Sequence, residues 1–568
     1  MSSENLKATL EEITSRMESG KNLAGLFEEL LNVVQELHSE LEKARERNAF
    51  LEGELERKRR SKESTDSDSD SGEGGKGSAK KNYSSEKRRR GREQENPKRV
   101  ARHGRRNKSD LTVHEIRRCE LDKSSLPADA QCKGVDRIVV RDIIIRQWNI
   151  EFQREVYYSP SEGKRYMAAL PEGWQGEFGP MLKSTVVTLK YDGGMSERGI
   201  VRFLKGHEID ISSGSVSNLL LGAGEFFHAE KSVILCQGYL SQGHAQSDDT
   251  SAKVMGKHWH THIVCNENFT AYFTRAGKDR MTVIDVLLGR SEASQRLYRY
   301  TALTSELLGI FEVSQRQQDR LASLIEEERD YDQEAMTALL VEQFGEKAES
   351  AQAAARIREA MALGYFHEQD DIAFPETLVT DAAPQYELLA LHHAACWIHD
   401  GRHYEKLEPL TENFRDKLKR FRTRYWKFYH ELAAWRQRPE AERAPCEAER
   451  LEKKFNRLFG TRTGYRELDE RIAKTRAKKE KLLVVLECPQ VPLHNNASEL
   501  GARRAARRRD ISLHSRSLKG VDAMDALTTV VETCGKVGVR VAGYIYDRFC
   551  GLSSEEGLAA RIAATSVP

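Results

Sequence analysis

Leu23, Phe27, Leu30, Val34, Leu37, Leu41, Ala44, Asn48, Leu51, Leu55 and Lys58 follow one another at steps of four and three, and nine of these eleven are apolar. A sustained 3.5-residue period with Glu, Lys and Arg on its flanks predicts a coiled-coil helix. With Leu30 and Leu37 at d, Asn48 falls at a, where a polar residue favours a fixed-register parallel dimer. The alternative is a lone helix packed on its own domain. From about 59 to 110 the periodicity is lost. Ser64–Gly72 alternates Ser and Asp and cannot bury anything.

Farther on, β-branched and aromatic runs at 137–145 and 151–158 predict two strands. A loop at 173–180 and an amphipathic helix at 182–191 follow. Ser196 opens one helix, a glycine-containing turn follows, and Ser212 opens a second, which makes 196–221 a helix-turn-helix candidate with its second helix about 213–221. Runs near 242–251, 257–265 and 269–275 read as an antiparallel meander. Residues 291–370 read as mostly helical. Thr377–Thr380 is a short apolar strand stopped by Asp381 and then Pro384. Phe414, Leu418, Phe421, Tyr425, Phe428, Leu432 and Trp435 form one helical stripe, answered by Leu451, Phe455 and Leu458. Pro492–Asn496 ends that block, and a small-residue helix with five arginines begins.

The 568 residues are enough for about three or four domains. With 39% hydrophobic and 31% charged residues, the composition suits a soluble, helix-rich protein. No apolar run reaches the ~20 residues that cross a bilayer. Nine scattered cysteines without a Cys-x-x-Cys pair argue against a disulfide framework and for a reducing compartment. The net charge of +2 hides local asymmetry: Lys87 to Lys108 holds eleven Lys/Arg against two Glu. Such an arm, with Arg88, Arg89, Arg90 and Arg92 at its head, is a solvated linker or a phosphate-attracting segment.

The chemistry-bearing residues are few. Glu499, Arg503 and Arg507 share a helix face, which fits an acid followed by a phosphate track; equally, Asn496–Glu499 fits an N-cap with its capping-box partner and Glu499–Arg503 an ordinary ion pair. Asp248 and Asp249 stand on the first meander strand, where alternation lets only one of them enter a given site. Asp381 closes a strand beside a loop, a position shared by catalytic acids and capping aspartates. His258, His260 and His262 share a strand face; without a neighbouring acid or cysteine spacing they read as a polar sheet face rather than a zinc site. The stripe helix also carries Lys417, Lys419, Arg420, Arg422 and Arg424 on its basic face.

Asp248-Asp-Thr250, Thr380-Asp381, Cys396-Trp-x-His399-x-x-Arg402, Leu493-x-Asn-Asn-Ala-x-Glu499 and Ser512–Gly520 stand in an order that resembles transposases of the insertion sequence 66 family. The likeness covers most of 170–285 and 375–550. It implies an α/β plus α chain: a ribonuclease-H-like mixed-sheet catalytic domain with helical insertions, preceded by a helix-turn-helix module and an N-terminal coiled coil. The corresponding division is 1–60 coiled coil, 61–110 basic linker, 111–228 DNA-binding module, 229–550 catalytic domain with insertions about 291–370 and 405–487, and 551–568 tail.

By motif match, the resemblance assigns Asp248, Asp381 and Glu499 as catalytic, metal-holding acids. Two Mg2+ or Mn2+ ions would sit in each site, with Asp249, His399 and Arg402 around them; whether Asp248 or Asp249 is the first acid stays open. It implies DNA contacts from Arg503, Arg504, Arg507, Arg508, the arm arginines, and Ser215, Ser217 and Asn218. The cysteine-rich module common in the family is reduced to Cys119 and Cys132, which speaks against zinc. The expected partners are element ends and target DNA, a second copy through the coiled coil, and accessory proteins of the same element. The expected setting is the bacterial cytoplasm, at the nucleoid, with no membrane. The competing readings are a nuclease that only hydrolyses and a non-catalytic DNA-binding protein.

Overall fold

The computed structural model describes residues 23–63, 112–119, 137–290, 295–326, 329–370, 372–552 and 557–565. Most of the linker, with Arg88, Arg89, Arg90, Arg92 and Cys132, lies outside the described residues.

Helix α1 (Leu23–Glu63) packs one face on its own chain. Leu26 and Val33 are buried, and Asn32 and Gln35 bind loops of the same chain. Asn32 Nδ2 donates to Gly464 O (2.9 Å) and its Oδ1 accepts from Arg466 N (2.8 Å). Gln35 Nε2 donates to Glu408 O (3.0 Å) and its Oε1 accepts from Leu410 N (2.7 Å). The opposite face carries the zipper positions, of which Phe27, Val34, Leu37, Leu41 and Leu51 are exposed.

The two strands expected at 137–145 and 151–158 are largely not formed. Residues 137–150 have no regular structure, and Ile138, Val140, Ile143, Ile144 and Trp148 are exposed. β-propensity needs a neighbouring strand to be realised, and here only Val156–Ser159 finds one, pairing with Lys164–Met167 in a hairpin.

Helices α2 (Pro180–Val187), α3 (Glu197–Lys205), α4 (Ser213–Phe226) and α5 (His228–Leu240) follow. The expected caps are in place: Ser196 Oγ accepts from Gly199 N (3.1 Å) and Ser212 Oγ from Ser215 N (2.9 Å). Ile200, Leu204, Val216 and Leu220 bury the inner faces of the α3–α4 pair.

The central sheet holds β1 (His244–Val254), β2 (Lys257–Cys265), β3 (Thr270–Arg275), β4 (Thr377–Thr380) and β5 (His392–Ala395), in the order 3-2-1-4-5. The first three strands form the antiparallel meander, and β4 and β5 run parallel to β1. This mixed five-stranded sheet is compatible with a ribonuclease-H-like fold. Between β3 and β4 come α6 (Arg280–Leu287), α7 (Ala302–Ile310), α8 (Gln315–Leu324), α9 (Gln333–Phe344) and α10 (Gln352–Glu368). They share one hydrophobic core with α2–α5.

After β5, α11 (Trp397–Glu405) leads into α12 (Glu412–Arg436), α13 (Pro445–Phe459), α14 (Arg466–Ala477) and α15 (Lys479–Leu483). All seven residues of the α12 stripe are buried, and with Leu451, Phe455 and Leu458 they enclose Trp397 in a second core. Then come α16 (Asn496–Ser512), α17 (Leu518–Lys536), α18 (Val541–Phe549) and α19 (Gly557–Thr565). Strand β3 is the sheet edge, and α17 satisfies its N–H groups with side chains one turn apart. Thr270 N donates to Thr533 Oγ1 (3.3 Å), Tyr272 N to Thr529 Oγ1 (3.0 Å) and Thr274 N to Asp525 Oδ2 (2.6 Å). No helix among the described residues is long and apolar enough to cross a membrane.

Candidate functional site

Strand register brings the first two acids together. His244, Ala245 and Gln246 stand opposite Thr377, Leu378 and Val379. The pairing ends there; Asp248 and Asp381 each lie two residues beyond it, Asp381 just past the end of β4, and the Asp381 charge reaches Asp248. Thr380 pairs with Ala395, so Cys396 occupies the next place in that row. In a parallel sheet, residues side by side point to the same face.

That face is covered by α16. Ala497, Ala502 and Ala505 pack on Ile263, Cys265 and Tyr272 of β2 and β3. Gly501 allows the close approach, since a Cβ there would stand 2.9 Å from Ile263 Cγ2. Gln246, two residues before Asp248 on the same face, accepts from Ala497 N (3.2 Å). Glu499, one turn into the helix, is buried. It meets Arg402 Nη2 at 3.2 and 3.3 Å, His399 Nε2 at 3.5 Å and Arg503 Nη2 at 3.5 Å. Asp249 points to the other face, where its carboxylate lies 3.5 Å from His260 Nδ1. This separates the two aspartates that alternation left open.

Electrostatics also tie the acids to one another. Burial pushes the Asp248 carboxyl up to about 7; the N–H of Asp249 opposes this, and the charges of Asp381, Asp249 and Glu499 add to it. Burial lowers His399, with Glu499 opposing and Arg402 assisting. Asp381 is exposed at the strand end and accepts from Ala383 N (3.0 Å), with Ala382 at φ 61° in the turn.

Two donor sets are available to a cation. The three carboxylates offer oxygen alone, suited to a hard divalent ion that would relieve their repulsion. Cys396, His399 and Glu499 also have donor atoms within 4.8 Å of one another. A softer ion there would face the Arg402 guanidinium and a thiol that burial pushes up to about 11. The three carboxylates are not gathered within that distance of one another among the described residues, and the Arg402 guanidinium faces Glu499 in either set. Of the three sheet histidines, His262 is buried with its Nε2 3.0 Å from Gly277 O, and His260 Nδ1 lies 3.5 Å from the Asp249 carboxylate.

The arginines of α16 divide by partner. Arg504 pairs with Glu532, and Arg508 donates to Tyr191 O (2.8 Å) and lies over the Tyr191 ring, so both tie α16 to the surrounding structure. Arg507 is exposed. In α4, Ser215 belongs to the cap, Asn218 is exposed, and Ser217 lines a cleft of about 810 Å³ with Arg198, Lys253 and Arg516.

Sequence reasoning missed Gln246, and it placed Asn495 within a motif without giving it a role. The helix cap expected at Asn496 is Asn495, and its side chain does not cap the helix. Its Nδ2 donates instead to Ser247 O (2.8 Å). The alternation of β1 could have pointed to Gln246, since it shares a face with Asp248.

Residues 316–523 match the family described as Transposase IS66 family, a span that contains Asp381, Cys396, His399 and Glu499 and leaves out Asp248. The uncharacterized protein y4jO of Sinorhizobium fredii (strain NBRC 101917 / NGR234) is 31% identical over 336 residues, which are 58% of this chain and 99% of that protein. No solved structure matches the chain. The family span falls on the strands and helices that carry Asp381 and Glu499, and the relative is matched almost end to end: the chain belongs to the IS66 transposase family.

Proposed function

We propose that this protein is a DDE-type transposase that binds the ends of a mobile DNA element and catalyses metal-dependent cleavage and strand transfer. Asp248, Asp381 and Glu499 are its metal-holding acids. The observation that carries this reading is the β1–β4 register beside Asp381, with Glu499 brought to the same face by α16. Family membership supports the reaction class.

Two Mg2+ or Mn2+ ions, when bound, would make a water or 3′-hydroxyl nucleophilic and stabilise the leaving oxygen. The chain's own residues do the rest. Asp248 and Asp381 present oxygens from adjacent strands, and Glu499 does so from a helix packed on the sheet. Arg402 and His399 orient Glu499. Arg503 and Arg507 lie one and two turns farther along the helix and face backbone phosphates. The α3–α4 pair, with Asn218 outermost and the cleft beside Ser217, receives the duplex. The exposed zipper face of α1 joins two copies.

The test is strand transfer with Asp381→Asn and Glu499→Gln, each checked for native folding. Each is expected to lose joined product by about 10³-fold or more. Full joining activity in either folded variant overturns the triad. Hydrolysed ends without joined product from the wild type would identify a nuclease instead.

A further inference from the structure

The start of α16 is held by an unusual set of buried polar bonds. Asn495 is fully buried, as are Ser498, Gln246 and Cys396. Its Nδ2 donates to the carbonyl of Ser247, the residue before Asp248 (2.8 Å). Its backbone N–H donates to Cys396 Sγ (3.3 Å), and Cys396 stands in the sheet row of Asp381. Its carbonyl accepts from Glu499 N (3.1 Å) and Ser498 Oγ (3.1 Å). One residue thus touches the β1 segment of the first acid, the row of the second and the turn of the third. Gln246 adds a parallel tie, taking the otherwise orphaned N–H of Ala497.

We propose that Asn495, assisted by Gln246, is the positioning residue of the carboxylate site: it fixes how far Glu499 stands from Asp248 and Asp381. A capping role would spend the amide on the helix's own N–H groups. Asn495 spends it across the fold, on a strand 248 residues away. Its Oδ1 is buried with no hydrogen-bond partner among the described residues, so the Ser247 bond alone sets the amide's orientation. Oxygen ligands bind hard cations at about 2.1 Å with little tolerance, and sites of this kind must be held to within about 0.5 Å. A residue that ties all three carriers therefore acts on metal affinity before it acts on overall stability.

The inference rests on the carboxylate reading above, and its test separates the two. Mn2+ alone is titrated into the full-length protein, with free Mn2+ followed by electron paramagnetic resonance. Asn495→Ala is expected to weaken binding about 10- to 100-fold, the range seen when groups supporting metal ligands are removed. Gln246→Met, which keeps the volume and removes the acceptor, should weaken it in the same direction and serves if Asn495→Ala does not fold. Thr533→Val, which loosens the sheet edge away from the acids, should lower the melting temperature and leave Mn2+ affinity within twofold. If Asp248→Asn binds Mn2+ as the wild type does, the carboxylate reading fails. If Asp248→Asn loses Mn2+ while folded Asn495→Ala and Gln246→Met keep it within twofold, the positioning role is overturned.

Discussion

Asp248 lies within reach of the Asp381 and Glu499 charges, and its carboxyl is pushed from 3.8 to about 7, by burial first and by those neighbours second. A carboxyl with a raised folded pKa gives stability that is fully present below its unfolded pKa and is lost as pH rises through the folded one. Metal-free protein should therefore lose stability between about pH 4 and 7, and Asp248→Asn should lose less over that window. Urea unfolding at several pH values measures this; parallel curves for the two proteins would rule out the assignment. Saturating Mn2+ should raise the wild-type melting temperature by relieving the same repulsion. At this scale, family resemblance more than spacing singled out Asp381 and Glu499 as candidates, and strand alternation narrowed Asp248 and Asp249 to one per face. The role of Asn495 was not legible, because local capping preference selects Asn496, whereas the Ala497 N–H is met by Gln246 from 251 residues away.

Elements with an internal period or a bounded apolar run were readable, including the strand Thr377–Thr380, whose partner lies far away in the chain. The α12 stripe is buried at every expected position. The run at 137–145 has the composition of a strand but no paired neighbour among the described residues, where it is without regular structure. Helix α1 was readable in part. Its heptads announced one apolar seam, but nothing in them announced the second face, on which Asn32 and Gln35 grip the helical insertion. The two faces separate the predicted effects of substitution. Leu37→Glu with Leu41→Glu, on the exposed seam, should convert a self-associated protein to monomer in sedimentation and leave the melting temperature nearly unchanged. Self-association that persists in this variant would remove α1 from the interface.

Across the whole molecule, the insertion after α11 is part of the site's support rather than an appendage. Trp397, at the start of the helix bearing His399 and Arg402, is enclosed by Tyr425, Phe428, Phe455 and Phe459. Its Nε1 donates to Leu482 O (2.8 Å). Replacing 412–477 with a short Gly/Ser linker should therefore expose Trp397, shift its emission to longer wavelength and abolish Mn2+ binding. Retained metal affinity in that deletion would show the insertion to be dispensable for the site. A mixed sheet was implied by family resemblance, whereas the division into two cores appears only once the long-range packing is seen.

The closing of β3 by α17 has a consequence for how the protein is made. The edge strand is finished at Arg275, but Asp525, Thr529 and Thr533, which cover it, emerge from the ribosome roughly 260 residues later. At about 5–20 residues per second, the nascent sheet carries an open edge for roughly 13 to 50 seconds. During that interval it is a template for pairing with any other extended chain. The polysome, more than the finished protein, is where this fold is exposed to aggregation, and helix α16 is made only near the end of the same interval.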